Sequence, residues 1–209
     1  MTAAQRQAFD SGWPRYGLKL SDGALDVAGQ FGTRAPLVVE IGFGMGESLL
    51  QMAQAAPDHH FVGIEVHPPG VGSLMNAAAA AEVDNLRLYL ADATDVMREC
   101  IGAQTVDRLQ LYFPDPWHKK KHNKRRIVQP EFVQLIRSRL RLGGVFHMAT
   151  DWQPYAEQML ATMQQAAGFS NCTGAEYAQK PDYRPLTKFE RRGARLGHGV
   201  WDLLFERCS

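Results

Sequence analysis

Short apolar runs alternate along this chain with longer stretches whose apolar residues recur every three or four positions. Those are the two periods of strands and helices. Leu37-Val38-Val39-Glu40-Ile41, residues 61–66 (FVGIEV), Leu86-Arg87-Leu88-Tyr89-Leu90, residues 106–113 (VDRLQLYF) and residues 145–151 (VFHMATD) read as strands, with 199–206 (GVWDLLFE) closing the chain. Between them the pattern predicts helices from Glu47 to about Ala56, over 71–82, from about Ala93 to Ile101, from about Pro130 to Arg141 and from about Pro154 to Ala167. Pro57 stops the first. Gly143-Gly144 and Gly168 follow the last two, where glycine ends helices. Residues 1–35 are polar and glycine-dotted and predict an irregular arm, with Trp13, Pro14, Tyr16 and Leu18 packed on a domain that begins at residue 36 and runs to 209. Strands alternating with helices imply an α/β domain with a doubly wound, mostly parallel sheet, whose ligands bind at the carboxyl ends of the strands.

That architecture gives five acidic residues a common address. Glu40, Glu65, Asp92, Asp115 and Asp151 fall at the ends of five successive strands and would line one edge of the sheet. After the fourth strand comes Phe113-Pro114-Asp115-Pro116-Trp117, an acid held between two prolines that restrict its backbone. Residues 118–126 (HKKKHNKRR) follow, with six Lys/Arg and no acid.

Charge sharpens the picture. The 209 residues carry 23 Lys/Arg and 22 Asp/Glu, a net of +1. Segment 118–126 and segment 184–195 (RPLTKFERRGAR) together hold 11 of the bases and one of the acids, leaving 12 bases against 21 acids elsewhere. Cationic segments gathered on an acidic body predict a polyanion footprint. No apolar run approaches the ~18 residues of a membrane span, and the N-terminus lacks the layout of a signal peptide. Three cysteines with no C-x-x-C pair argue against a disulfide framework and suit a reducing cytoplasm.

The first strand runs into Glu40-Ile41-Gly42-Phe43-Gly44-Met45-Gly46. A dinucleotide fingerprint requires a third glycine at 47, where this chain has Glu47. An acid opening that helix also sits badly beside a pyrophosphate. S-adenosyl-L-methionine has no phosphate and is cationic at its sulfonium and amino group, so the acids favour it over a nicotinamide cofactor. Gly42 and Gly44 let the backbone approach it. Glu65 is placed to accept from ribose hydroxyls, and Asp92, beside Ala93, from the adenine amino group. His118 and His122 share a metal-clip spacing but lack a third ligand, so no metal is expected.

Taken together, EIGFGMG (40–46), GIEVHPPGVG (63–72), FPDPWHKKKHNKRR (113–126), GGVFHMATDW (143–152), TKFERRG (187–193) and HGVWDLLFER (198–207) resemble the bacterial tRNA (guanine-N7)-methyltransferases. The resemblance implies a class I methyltransferase with a Rossmann-like, seven-stranded sheet. It implies cofactor contacts at Glu40, Glu65, Asp92 and Asp115, with Asp115 catalytic. Substrate contacts would fall at Lys119, Asp151, Thr187, Lys188, Phe189 and Glu190, and RNA contacts at Lys121, His122, Asn123, Lys124, Arg125 and Arg126. The implied reaction is methylation of the variable-loop guanine (position 46) of tRNA, by a cytoplasmic monomer. Many members begin with a longer basic arm than this chain has. Guanine N7 carries a lone pair and no proton, so transfer needs alignment and stabilisation of a cationic product rather than a base. Asp115 could supply that stabilisation, or could cap its own turn. Phe189 could stack on the base or sit in the core, and Trp117 reads as a loop anchor. Asp151 or Glu190 could accept from the guanine amino face. His67 and His147 read as ordinary packed or loop histidines. A methyltransferase of exocyclic amines and a non-catalytic RNA-binding protein of the same fold are the alternatives.

Overall fold

A computed structural model describes residues 3–187, 190 and 199–209, the side chains of 3–8 aside. The strands expected from the apolar runs form β2 (Leu37–Ile41), β3 (His60–Glu65), β4 (Leu86–Leu90), β5 (Val106–Tyr112), β6 (Leu140–Thr150) and β8 (Trp201–Arg207). Between and after them lie α3 (Glu47–Ala55), α4 (Pro68–Ala80), α5 (Ala93–Glu99), α6 (Pro130–Arg139) and α7 (Gln153–Gln164).

The sheet has eight described strands, not seven, in the order β1-β4-β3-β2-β5-β6-β8-β7. The two short edge strands are β1 (Gly17–Leu18), parallel to β4, and β7 (Phe169–Asn171), antiparallel to β8. β8 also runs antiparallel to β6, and the remaining pairs are parallel. The order reverses between β2 and β5, the place where a doubly wound sheet opens a crevice for ligands.

Two expectations are corrected. Residues 1–35 are not an irregular arm: α1 (Ala3–Tyr16) and α2 (Val27–Phe31) flank β1, and Tyr16 and Leu18 are buried. Asp26 caps α2 by accepting from Gly29 N at 3.0 Å. The segment is polar because it covers one edge of the domain with few apolar residues. Gly143-Gly144 does not end a helix. α6 stops at Arg139, and both glycines lie inside β6 after a break in its pairing with β5.

The pleat divides β2 between two cores. Leu37, Val39 and Ile41 pack with α5, α6 and α7, whereas Val38 joins α1, α3 and α4 on the other face. Glu40 shares that second face with Val38. In register, Glu40 pairs with Gln110, which pairs with His147. Tyr112 pairs with Ala149, which pairs with Asp202. One face of the sheet therefore carries a polar row across four adjacent strands. All five of its polar members are buried.

Candidate active site

The loop after β2 turns on left-handed glycines, Gly42 (φ 74°) and Gly44 (φ 59°). A Cβ at either would enter open space, so the backbone leaves room for a ligand. The Glu65 carboxylate pins this loop, accepting from Gly44 N at 2.8 Å and from Val66 N and His67 N at 2.7 and 3.0 Å. α4 holds it from the far side. Gly70 approaches so closely that a Cβ there would lie 2.0 Å from the Gly44 carbonyl oxygen.

Asp92 caps α5 through Oδ1, accepting from Thr94 N at 2.8 Å, with Ala93 as the first helical residue. Among the described residues Oδ2 has no partner and stays available to a ligand amino group. β4, β3 and β2 are neighbours, so Asp92 stands two strand spacings, about 10 Å, from the glycine loop.

After β5, Phe113 (φ 51°) and Trp117 (φ 45°) adopt left-handed backbones without being glycine. That conformation is uncommon and concentrates at constrained functional turns. Between them, Pro114 and Pro116 frame Asp115, which is exposed and accepts from Trp117 N at 3.1 Å through Oδ1. Capping its own turn thus uses one oxygen and, among the described residues, leaves Oδ2 available. A cleft of about 200 Å³ at the sheet reversal is lined by Ile41, Gly42, Tyr112, Pro114, Asp115 and Arg125, with Trp117 at its side. The glycine loop and the proline-framed acid therefore share one cavity.

The cationic segment winds into a 3-10 turn, Lys120–Arg125. Lys119, Lys120, Lys121, Lys124 and Arg125 are exposed, His122 and Asn123 half-buried. Trp117 anchors the loop beneath Arg125, whose guanidinium lies 4.9 Å from its ring centroid. Arg126 corrects the reading of an unbroken RNA-binding run, because it is 4% exposed. Its Nε donates to the Pro116 carbonyl at 2.8 Å, its Nη1 donates to Gln158 Oε1 at 2.8 Å, and its guanidinium lies 4.7 Å from the Tyr155 ring. It ties the Asp115 loop to α7.

Glu190 is likewise corrected as a direct acceptor for a base. It is buried, with Oε1 2.7 Å from Arg184 Nη1 and Oε2 accepting from Thr187 N at 2.9 Å, while Thr187 Oγ1 accepts from Glu190 N at 3.1 Å. That reciprocal exchange is the T-x-x-E capping box. Asp151 stands exposed at the end of β6. Lys188 and Phe189 lie outside the described residues.

Glu40 is buried, and loss of solvent raises its carboxyl to about 8 despite the nearby Arg108. With the Gln110 amide turned to suit its neighbours, its nitrogen donates to Glu40 Oε2 at 3.3 Å and its oxygen accepts from Tyr112 OH at 3.1 Å and Arg108 Nε at 2.9 Å. Tyr112 OH and Tyr183 OH each lie 2.9 Å from His147 Nδ1. His147, fully buried and with its pKa lowered by that burial, contacts Asp202 Oδ1 through Nε2 at 2.7 Å. It is a junction in the polar row rather than a packed bystander. Arg184 opens the cationic segment 184–195 and Asp202 lies in the closing strand, but nothing in the sequence marks them as partners. Their pairing appears only in the fold, where the loop before Thr187 lays Arg184 against β8.

A family model described as "Putative methyltransferase" matches residues 34–203. A tRNA (guanine-N(7)-)-methyltransferase of Saccharophagus degradans is 62% identical over 99% of this chain and 91% of its own length. One of Shewanella oneidensis is 58% identical over 100% and 88%. Among solved structures, the 16S rRNA methyltransferase KamB superposes with a TM-score of 0.65 at 17% identity over 89% of this chain and 95% of that one. A Haemonchus contortus phosphoethanolamine N-methyltransferase, solved with S-adenosylhomocysteine, gives 0.53 at 12% identity over 88% and 52%.

Proposed function

This chain belongs to the tRNA (guanine-N7)-methyltransferase family, and on that premise we propose that it methylates N7 of the variable-loop guanine of tRNA with S-adenosyl-L-methionine. The observation that carries the reading is the shared cavity of Gly42 and Asp115 at the sheet reversal, directly beside Arg125. The residues present fit the cofactor. Gly42 and Gly44 leave open space on their ligand side, Asp92 Oδ2 is unengaged among the described residues, and Glu40 lies beneath the loop. Gly42 and Gly44 would hold its amino-acid part, Glu65 its ribose and Asp92 its adenine.

Bound there, the cofactor supplies a methyl group on a sulfonium, electrophilic enough for direct transfer. The protein's part is placement and charge. Asp115 presents Oδ2 to the guanine, accepting from its N1–H and N2–H edge and opposing the positive charge that grows on the ring. The prolines and the Arg126 anchor keep that carboxylate from swinging away, which keeps the reacting atoms aligned. Lys119, Lys120, Lys121, Lys124 and Arg125 take the phosphates around the target. Thr187 and Asp151 close the base pocket from the β6 side.

Unmodified tRNA incubated with the protein and methyl-labelled adenosylmethionine should yield 7-methylguanosine in the variable loop on nucleoside mapping. Label on an exocyclic amine, at another guanine, or absent despite cofactor binding would each overturn the proposal.

A further inference from the structure

Arg184 is 1% exposed and heads the largest fully buried side chains, yet no step above uses it. Its Nε and Nη2 donate to Asp202 Oδ1 and Oδ2 at 2.7 and 2.9 Å, the two-pronged match of guanidinium to carboxylate. Its third nitrogen, Nη1, lies 2.7 Å from Glu190 Oε1, a close ion pair off the hydrogen-bond axis. The same guanidinium carbon lies 5.7 Å from the ring centroids of both Tyr112 and Phe113. Phe113 is one of the two left-handed residues that bracket Asp115. One cation thus touches β8, the Thr187–Glu190 box and the root of the Asp115 loop.

Stability alone does not account for it. Burying a cation between two carboxylates carries a large desolvation cost, and apolar side chains of similar volume commonly hold a fold as well or better. What apolar packing lacks is direction. A planar fork fixed on Asp202 holds its third nitrogen in one place, 2.7 Å from Glu190 Oε1. Asp202 is itself held from behind by His147 Nε2 at 2.7 Å.

We propose that Arg184 is a positioning residue for methyl transfer, setting the distance between the Asp115 loop and the Thr187–Glu190 box so that the two close on the same guanine. The inference rests on the function proposed above and names the side chain that registers the two halves of its substrate site. Arg184 acts through Glu190 and Phe113 and does not touch RNA or cofactor.

The test compares wild type with Arg184→Lys, Glu190→Gln and the double variant, measuring kcat and KM for tRNA, adenosylmethionine affinity by calorimetry, and thermal unfolding. Lysine keeps the charge but cannot serve both carboxylates in one plane. Arg184→Lys should lower kcat/KM for tRNA by about 10–100-fold, the cost of a misplacement near 1 Å, with cofactor affinity within twofold. Glu190→Gln should lose a similar factor. The double variant should lose little more than either, because both act through one contact. Wild-type kcat/KM in Arg184→Lys, additive losses, or equal loss of cofactor affinity and tRNA turnover would overturn the inference. If Arg184→Lys does not fold, the isosteric Glu190→Gln decides alone: reduced tRNA turnover with intact cofactor binding supports the inference, and normal turnover overturns it. Failure of the wild type to methylate tRNA would instead indict the proposed function.

Discussion

Replacing Arg126 with methionine separates a phosphate contact from a structural one. Arg126→Met keeps most of the hydrocarbon stem and removes the guanidinium, with its bonds to the Pro116 carbonyl and Gln158 Oε1, both 2.8 Å, and its contact with Tyr155. Charge-assisted hydrogen bonds contribute ~1.5–3 kcal/mol each, and the cation over the ring ~0.5–2 kcal/mol. Relief from burying a charge offsets part of this, leaving a net loss of about 3 kcal/mol. For a domain of this size that lowers the unfolding midpoint by roughly 6–12 °C. The loop bearing Asp115 loses its tether, so turnover should fall while the salt dependence of tRNA binding does not change. Lys124→Ala and Arg125→Ala should behave oppositely, leaving the melting temperature near wild type and flattening the log–log salt slope by about 0.7–0.9 each. The assays are calorimetric melting and tRNA binding over a salt series. An Arg126→Met protein of unchanged stability with a slope flattened by one contact would refute the buried placement.

Other outcomes follow from the same geometry. Asp115→Ala should cut methyl transfer by about 10²–10³, the scale of removing one preorganised charge partner; near-normal turnover would end its catalytic assignment. Wild-type tRNA affinity should fall with salt at a slope of about −3 to −4 if ~4 of the five exposed cations at 119–125 meet phosphates, and a slope near zero would contradict that. Glu40, raised to about 8 by burial, is mostly protonated at neutral pH. A cationic ligand beside it should draw that proton off, so adenosylmethionine binding at pH 7 should release up to about one proton, read as a binding heat that varies with buffer. Because its folded value lies above its ordinary 4.5, the stability it favours is complete below that value and is lost as pH climbs toward 8. Glu40→Gln should flatten that part of the pH–stability curve, and a curve unchanged by the substitution would count against the burial argument.

The strands were legible because buried parallel strands announce themselves as apolar runs; Glu65, Asp92, Asp115 and Asp151 stand at or just after the ends of β3, β4, β5 and β6, whereas Glu40 is buried inside β2. Part of what stayed hidden has one physical cause: contact between residues far apart in sequence. Arg126 looks like its neighbours in a basic run, and only the approach of α7 makes it a buried tether. Glu190 reads as one more acid near a substrate. Its T-x-x-E spacing with Thr187 was a helix-start signal that could have placed it inward. Gly143-Gly144 carried a helix-stop pattern that the pairing of β6 overrode. β1 is two residues long, too short for any period to register. Phe113 and Trp117 sit in a backbone region that no residue type at those positions foretells.

Gly70 belongs to α4, yet the carbonyl it leans on belongs to the glycine loop. Adding one methyl group there would drive Gly44 toward the space the donor needs, so Gly70→Ala should abolish ligand affinity as thoroughly as damage to the loop itself. Sensitivity to mutation at that position would then report the thickness of a wall, and a survey scoring each site by its effect on activity would list Gly70 among the binding residues for the space it leaves to Gly44.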